Sequence, residues 1–416
     1  MASPSSISSD LASARIRVSD GLMMGPSLRR GSRTVHYLRK RRSSSFYRVG
    51  EREAFLIERL NGTRTVEQVS NEYLQRFDRR LVQANWQSLL TMLGSRGLLL
   101  GTEYVSKPAN EAPPQSQTGI KRLLYYRLPL ARMPERIARL SPRISTFFMP
   151  PVFIVLLLLS AAACIYALSQ WRSLSTVWSA PDAGLAIAVA FIVLWLSILG
   201  HELAHGVACA RYGGRAQEFG LLWRFPLLVP YCKVDDVVLF PRKRQRVATA
   251  FAGTFVSLLA PIPFAAIWIV GPAPGSLHDI AGAALLVTVA GALINLLPIF
   301  QLDGYAILNH ALGMVDLRSD AYDFGGRWLR RQIRFSDYPP ICRLAYIGYG
   351  ALSALLVGAP IVVLAVVVAR LLHLSEPYVI AAGAAAASVS AAAMLGIAVI
   401  AGKYSRSSPS SLEGVL

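Results

Sequence analysis

Hydrophobic and polar positions divide this chain into contrasting stretches. From residue 149 onward the apolar residues come in long blocks, each sufficient to cross a hydrocarbon core of about 30 Å as a helix. Six spans are predicted, at 149–169, 183–206, 247–270, 279–300, 344–369 and 377–401. Residues 31–103 follow shorter periods. "RTVHYLRK" and "SSSFYRVG" alternate as two strands. "EREAFLIERL" then places Phe55, Leu56 and Leu60 at helical spacing and stops at Asn61-Gly62. Thr65 and Gln68 stand at the capping-box spacing, opening a second helix. A third aligns Val82, Trp86, Leu89 and Leu93. The expectation is an α-helical polytopic membrane protein with a small N-terminal winged-helix-like α+β domain.

The connecting stretches complete the division. Residues 1–30 are Ser-rich and lack the apolar core of a secretory signal, so a disordered N-terminus is expected. Residues 104–148 read as a linker followed by an interfacial amphipathic segment that mixes basic and apolar residues. The membrane core runs over 149–315 and includes a Pro-punctuated, β-rich hairpin at 211–243 on the cytosolic side. An edge strand of that hairpin could align an extended peptide. A charged cytosolic loop (316–343), two C-terminal spans (344–402) and a cytosolic tail (403–416) follow.

Charge sets the orientation. The 43 Lys and Arg against 24 Asp and Glu leave a net charge of +19. "FPRKRQR" and "GGRWLRRQIR" belong on the cytoplasmic side, whereas the connections near 171–181, 271–278 and 370–376 are poor in Lys and Arg. Six spans with both termini cytoplasmic satisfy all of these preferences, with the lipid bilayer as a partner. Nucleic acid is not expected, because no helix carries an evident Arg/Asn reading face. Cys164, Cys209, Cys232 and Cys342 are scattered without a CxxC pair, which favours reduced thiols over a disulfide framework.

The second span flows into "ILGHELAHGVACARYGG" (198–214). Ionisable groups at membrane depth are costly and mark function. His201 and His205 lie one helical turn apart on one face and can bind one zinc ion, with Glu202 beside them as general base. A catalytic zinc needs a third ligand and an open position. Asp303, in "NLLPIFQLDGYAILNHALG", returns to the cytosolic side at the depth of His205 and is the candidate. His310, seven residues on, is expected to support the site rather than ligate. Asp235 and Asp236 are expected at a turn or on the surface.

These motifs resemble the site-2 protease family of intramembrane zinc metalloproteases, which pairs HExxH on one span with an Asn/Pro-containing span ending in an Asp-Gly ligand motif. The matching residues are His201, Glu202 and His205, then Asn295, Pro298, Leu302, Asp303 and Gly304. The resemblance implies zinc held by His201, His205 and Asp303, water activated by Glu202, and Asn295 on the substrate. The family's Gly-Pro-x-x-Asn stands here as "GTFVS" (Gly253 to Ser257), without the Pro or the Asn, a departure that puts a helper role for that span in doubt.

"FYRVGEREAFLIERLNGTRTVEQVSNEYLQRF" resembles the PqqD-like peptide-chaperone fold through its Leu60 to Thr65 turn. That likeness implies a domain that binds a peptide such as a ribosomally made precursor, with peptide-modification or export proteins as partners; with the spans and the protease resemblance, the expected place is multi-pass in a bacterial inner or plasma membrane. The leading expectation is a zinc endopeptidase cutting a peptide or membrane protein near the cytosolic face. The competing one is a non-hydrolytic peptide-binding or export component, against which the intact HELAH argues.

Overall fold

The computed structural model describes residues 7–41, 43, 45–100, 125–130, 133–144, 149–224, 227–272, 275–299 and 302–404. The chain forms two compact units, residues 1–111 with 312–416, and residues 112–311. The linker expected at 104–120 and nearly all of the C-terminal tail lie outside the described residues.

The first unit begins with α1 (Ser9–Ser13) and the strands β1 (Leu22–Met24), β2 (Leu28–Arg30), β3 (Arg33–Lys40) and β4 (Phe46–Gly50). β3 is central: β4 pairs along one edge, while β1 and β2 share the other, all antiparallel. Three helices follow, α2 (Glu51–Arg59), α3 (Val66–Phe77) and α4 (Gln83–Ser95). Their apolar faces meet the sheet around Leu38, Val49, Leu56, Tyr73, Trp86 and Leu89, all buried. The Trp86 indole donates to Ser70 Oγ at 3.0 Å, which satisfies its one polar atom inside the core. α3 starts at the expected capping box: Thr65 Oγ1 accepts from the Gln68 N–H, and the Thr65 N–H donates to Gln68 Oε1.

The N-terminal segment departs from expectation. Residues 14–19 are threaded between the α2–α3 turn and the strand-like end of α4, through Val18 N–H to Leu60 O, Gly62 N–H to Ile16 O and Ser19 N–H to Leu98 O, at 2.8–3.0 Å. Leu11, Ile16 and Val18 pack on the core. The Ser-rich composition disguised these sparsely placed apolar anchors, and their order comes from backbone pairing with residues far along the chain.

The same unit contains α13 (Leu317–Leu329), α14 (Pro340–Leu371) and α15 (Glu376–Tyr404). The stretch expected as a charged loop is therefore largely helical. The β2–β3 turn is stapled to it: Arg29 exchanges backbone hydrogen bonds with Gly313 and Val315, and the Gly31 N–H donates to Asp320 Oδ2 at 2.6 Å. The Tyr346 hydroxyl donates to Gly31 O at 3.0 Å.

The second unit carries β5 (Tyr125–Pro129), α5 (Met133–Ile144), α6 (Pro150–Ser169), α7 (Trp171–Ser175), α8 (Ala183–Arg211), β6 (Glu218–Arg224), β7 (Leu227–Lys233), α9 (Lys243–Leu259), α10 (Pro261–Val270), α11 (Ser276–Asn295) and α12 (Asp303–Leu312). The strands form one antiparallel sheet in the order β5-β6-β7. Among the described residues five helical stretches are long and apolar enough to cross a membrane: α6, α8, α9 with α10, α11 and α14. α15 occupies the place of the sixth expected span. Leu158, Ile165, Phe191 and Leu196 stand more than half exposed on α6 and α8. Such a continuous apolar exterior suits lipid and is rare in a water-facing monomer.

One consequence concerns pH. Burial pushes the Asp320 carboxyl up to about 7, against the pull of the Gly31 N–H and Arg30. A carboxyl raised in the folded state contributes stability that is full below its ordinary pKa of about 4 and lost as pH rises through about 7. Asp320→Asn keeps a carbonyl acceptor for Gly31 without the charge. The variant's melting temperature, relative to wild type, is expected to rise between pH 5 and pH 8; a constant difference over that range would refute the assignment.

Candidate metal centre

α8 is one uninterrupted helix of 29 residues that carries the apolar span directly into HELAH. His201 and His205 fall on its inner face and are buried. Asp303 begins α12, roughly 100 residues later in the chain, and the fold brings it to both imidazoles. Its Oδ2 lies 3.1 Å from His201 Nε2 and its Oδ1 lies 3.2 Å from His205 Nε2. The two Nε2 atoms are 3.1 Å apart. These are the three residues expected as ligands, and among the described residues no other group of three metal-binding side chains converges in this way.

The spacing suits a cation. Tetrahedral ligands with metal bonds of about 2.0–2.1 Å stand about 3.3 Å apart, close to the separations observed. Two imidazole nitrogens and a carboxylate thus aim at one point, a donor set whose chemistry fits a divalent metal ion.

The surroundings orient each donor. His205 Nδ1 faces Thr249 O at 2.8 Å. A carbonyl only accepts, so Nδ1 carries the proton and Nε2 is left to ligate. His201 Nδ1 lies 2.9 Å from Ser257 Oγ, and the Thr254 hydroxyl donates to Asp303 Oδ2 at 2.8 Å. All three supports come from α9, the span in which the resembled motif is incomplete. Its Ser257 stands where the resembled motif has Asn and does the orienting through a hydroxyl. Thr249, Gly253 and Ser257 recur every four residues, so they share one stripe of the helix. That polar and small stripe in an apolar run was the available signal.

Two glycines permit the approach. A Cβ on Gly253 would fall 2.3 Å from His205 Nε2 and 2.7 Å from His201 Nε2. A Cβ on Gly304 would fall 2.1 Å from Leu296 O. The Asp-Gly pair therefore serves packing as well as ligation: only glycine lets the first turn of α12 lie against the end of α11.

Glu202 lines the cavity beside His205, and its Oε2 accepts the Cys232 N–H of β7 at 2.8 Å. The Trp195 indole donates to Leu228 O on the same strand at 2.7 Å. The edge of β7 expected to align a peptide is thus occupied by α8 at both positions. Asp236 is buried and accepts from the Arg215 N–H and Gln217 Nε2, pinning the hairpin base, whereas Asp235 pairs with Lys233 near the surface. Glu202, His205, Asp303, Cys232 and His310 line one cavity; Asn295, at the end of α11, is not among its lining residues. Burial, reinforced by Glu202, pushes the Cys232 thiol up to about 12, so it stays protonated and offers no thiolate nucleophile.

No family model, curated protein or solved structure matches this chain.

The geometry makes two measurable statements. Purified protein incubated with zinc and desalted is expected to retain about one ion per chain, and both Asp303→Ala and Gly253→Ala to lose it while remaining folded. Ser257→Ala, which removes only an orienting partner, is expected to weaken zinc affinity by about 10–100-fold. Competition with a chromophoric chelator reads both; undiminished affinity in Gly253→Ala would contradict the site.

Proposed function

We propose that this protein is a zinc-dependent endopeptidase of the membrane, akin to site-2 proteases, which cuts a peptide or membrane-protein substrate near the cytosolic face. The observation that carries this reading is the convergence of His201, His205 and Asp303 within 3.1–3.2 Å, with Glu202 lining the same cavity. Six spans with cytoplasmic termini fit the charge distribution, and recruitment of a peptide by the N-terminal domain rests on the likeness of its Leu60–Thr65 turn to PqqD-like domains.

A zinc ion held by these three residues would supply a Lewis acid that lowers the pKa of water to about 7 and polarises a peptide carbonyl. The protein's own groups do the rest. Glu202 takes the proton of the attacking water and delivers it to the departing amine. A carboxylate has two oxygens, so Glu202 can take the proton on one while Oε2 accepts the Cys232 N–H, which holds the side chain in place. Thr249, Ser257 and Thr254 keep the ligands from rotating while charge develops.

Glu202→Gln tests the proposal because the amide keeps an oxygen acceptor for Cys232 but cannot take a proton. Cleavage of a co-reconstituted substrate is expected to fall by at least about 100-fold, with zinc content unchanged. Cleavage at the wild-type rate would sink the enzyme reading. Unprocessed substrate carried equally by both proteins would favour peptide binding or export.

A further inference from the structure

The cavity beside the candidate metal centre has a volume of about 320 Å³, at the lower end of the range of small-ligand pockets. Glu202, His205 and Asp303 belong to its lining, where the chemistry is proposed to occur. Most of the remaining lining is apolar, with Thr249, Asp235 and His310 as polar exceptions, and comes from separate elements. Val237 and Val238 lie on the 3₁₀ turn after β7, Ala250 on α9 and Ala306 on α12. The space exists because the two helices contribute alanines there; a larger residue at either position would fill it.

His310 also lines the cavity. It lies seven residues after Asp303 and so shares that face of α12. Burial and the neighbouring Arg246 guanidinium push its imidazole down to about 4, so at neutral pH it carries no charge. Arg246 is itself buried and donates to Phe240 O at 2.7 Å. The one charged wall residue besides Glu202 and Asp303 is Asp235, paired with Lys233 where the hairpin meets solvent.

We propose that this cavity is the specificity subsite of the enzyme, receiving one branched aliphatic side chain of the peptide residue that flanks the scissile bond. The inference rests on the proposed peptidase reading and adds a substrate preference to it. The ligand's chemistry follows from the walls. Three valines and two alanines bury an aliphatic group, Asp235 is already engaged by Lys233, and a buried ammonium or carboxylate without a partner is strongly disfavoured. A leucine-sized side chain adds apolar burial that alanine cannot.

The test uses binding, so that hydrolysis is not required. N-acetylated amino-acid hydroxamates of Ala, Leu, Phe, Asp and Lys are titrated calorimetrically into full-length, zinc-loaded protein in detergent, with zinc content measured on each sample. Leu is expected to bind at least about 10-fold more tightly than Ala, and Asp and Lys more weakly than Ala. Ala306→Leu, which fills the cavity, is expected to abolish the preference for Leu over Ala while retaining zinc. Val238→Ala, which enlarges it, is expected to shift preference toward Phe and guards against a filled variant that folds poorly. If zinc and hydroxamates bind but the series is flat, or neither variant changes its order, the subsite is overturned and the metal reading stands. If folded wild type holds no zinc, the peptidase reading fails and the subsite with it.

Discussion

The approach of two imidazole nitrogens and the two oxygens of one carboxylate to within 3.1–3.2 Å, among apolar helices, is the constraint on which the rest of the second unit depends. Two imidazoles and a carboxylate removed from water are unfavourable unless each polar atom has a partner. α9 exists in its particular composition to meet that need. Its stripe of Thr249, Gly253 and Ser257 supplies a carbonyl, an absence of side chain and a hydroxyl where the two histidines require them. Thr254 does the same for Asp303. Replacing that stripe with larger aliphatic residues would improve generic packing and remove the site.

The hairpin adds a different kind of control. β7 lies along α8 with its edge held by Trp195 and Glu202, so the general-base candidate is also a structural group. Its Oε2 accepts the Cys232 N–H while a carboxylate's second oxygen keeps its own lone pairs, so one side chain can hold the strand and still line the cavity. The sheet and the metal centre form one apparatus within a single compact unit.

The N-terminal part of the first unit is held together differently. A mixed core around Trp86 and Tyr73, a capping box on α3 and strand pairing about β3 hold it together. It reaches along the chain to the C-terminal helices through backbone pairing at Arg29 and through Asp320. These contacts join segments nearly 300 residues apart in sequence, so no local pattern announces them.

Local periodicity and local chemistry were legible in the sequence alone. Runs of apolar residues marked the long apolar helices, Thr65 and Gln68 marked the start of α3, and the one-turn spacing of His201 and His205 marked the face that meets Asp303. Asp303 was legible as well, because membrane topology limits depth and returned it to the level of His205. Pairings between distant segments were settled by tertiary structure. The N-terminal residues looked disordered because their few apolar anchors acquire partners only in the folded domain. Ser257 and Thr254 looked like the remains of a motif until α9 was set against α8 and α12. Gly253 gained its meaning from two imidazoles that its missing Cβ would have struck. Periodicity reports which face of an element is apolar; only packing decides which polar atom on that face has a partner, because a hydrogen bond depends on where two backbones finally lie.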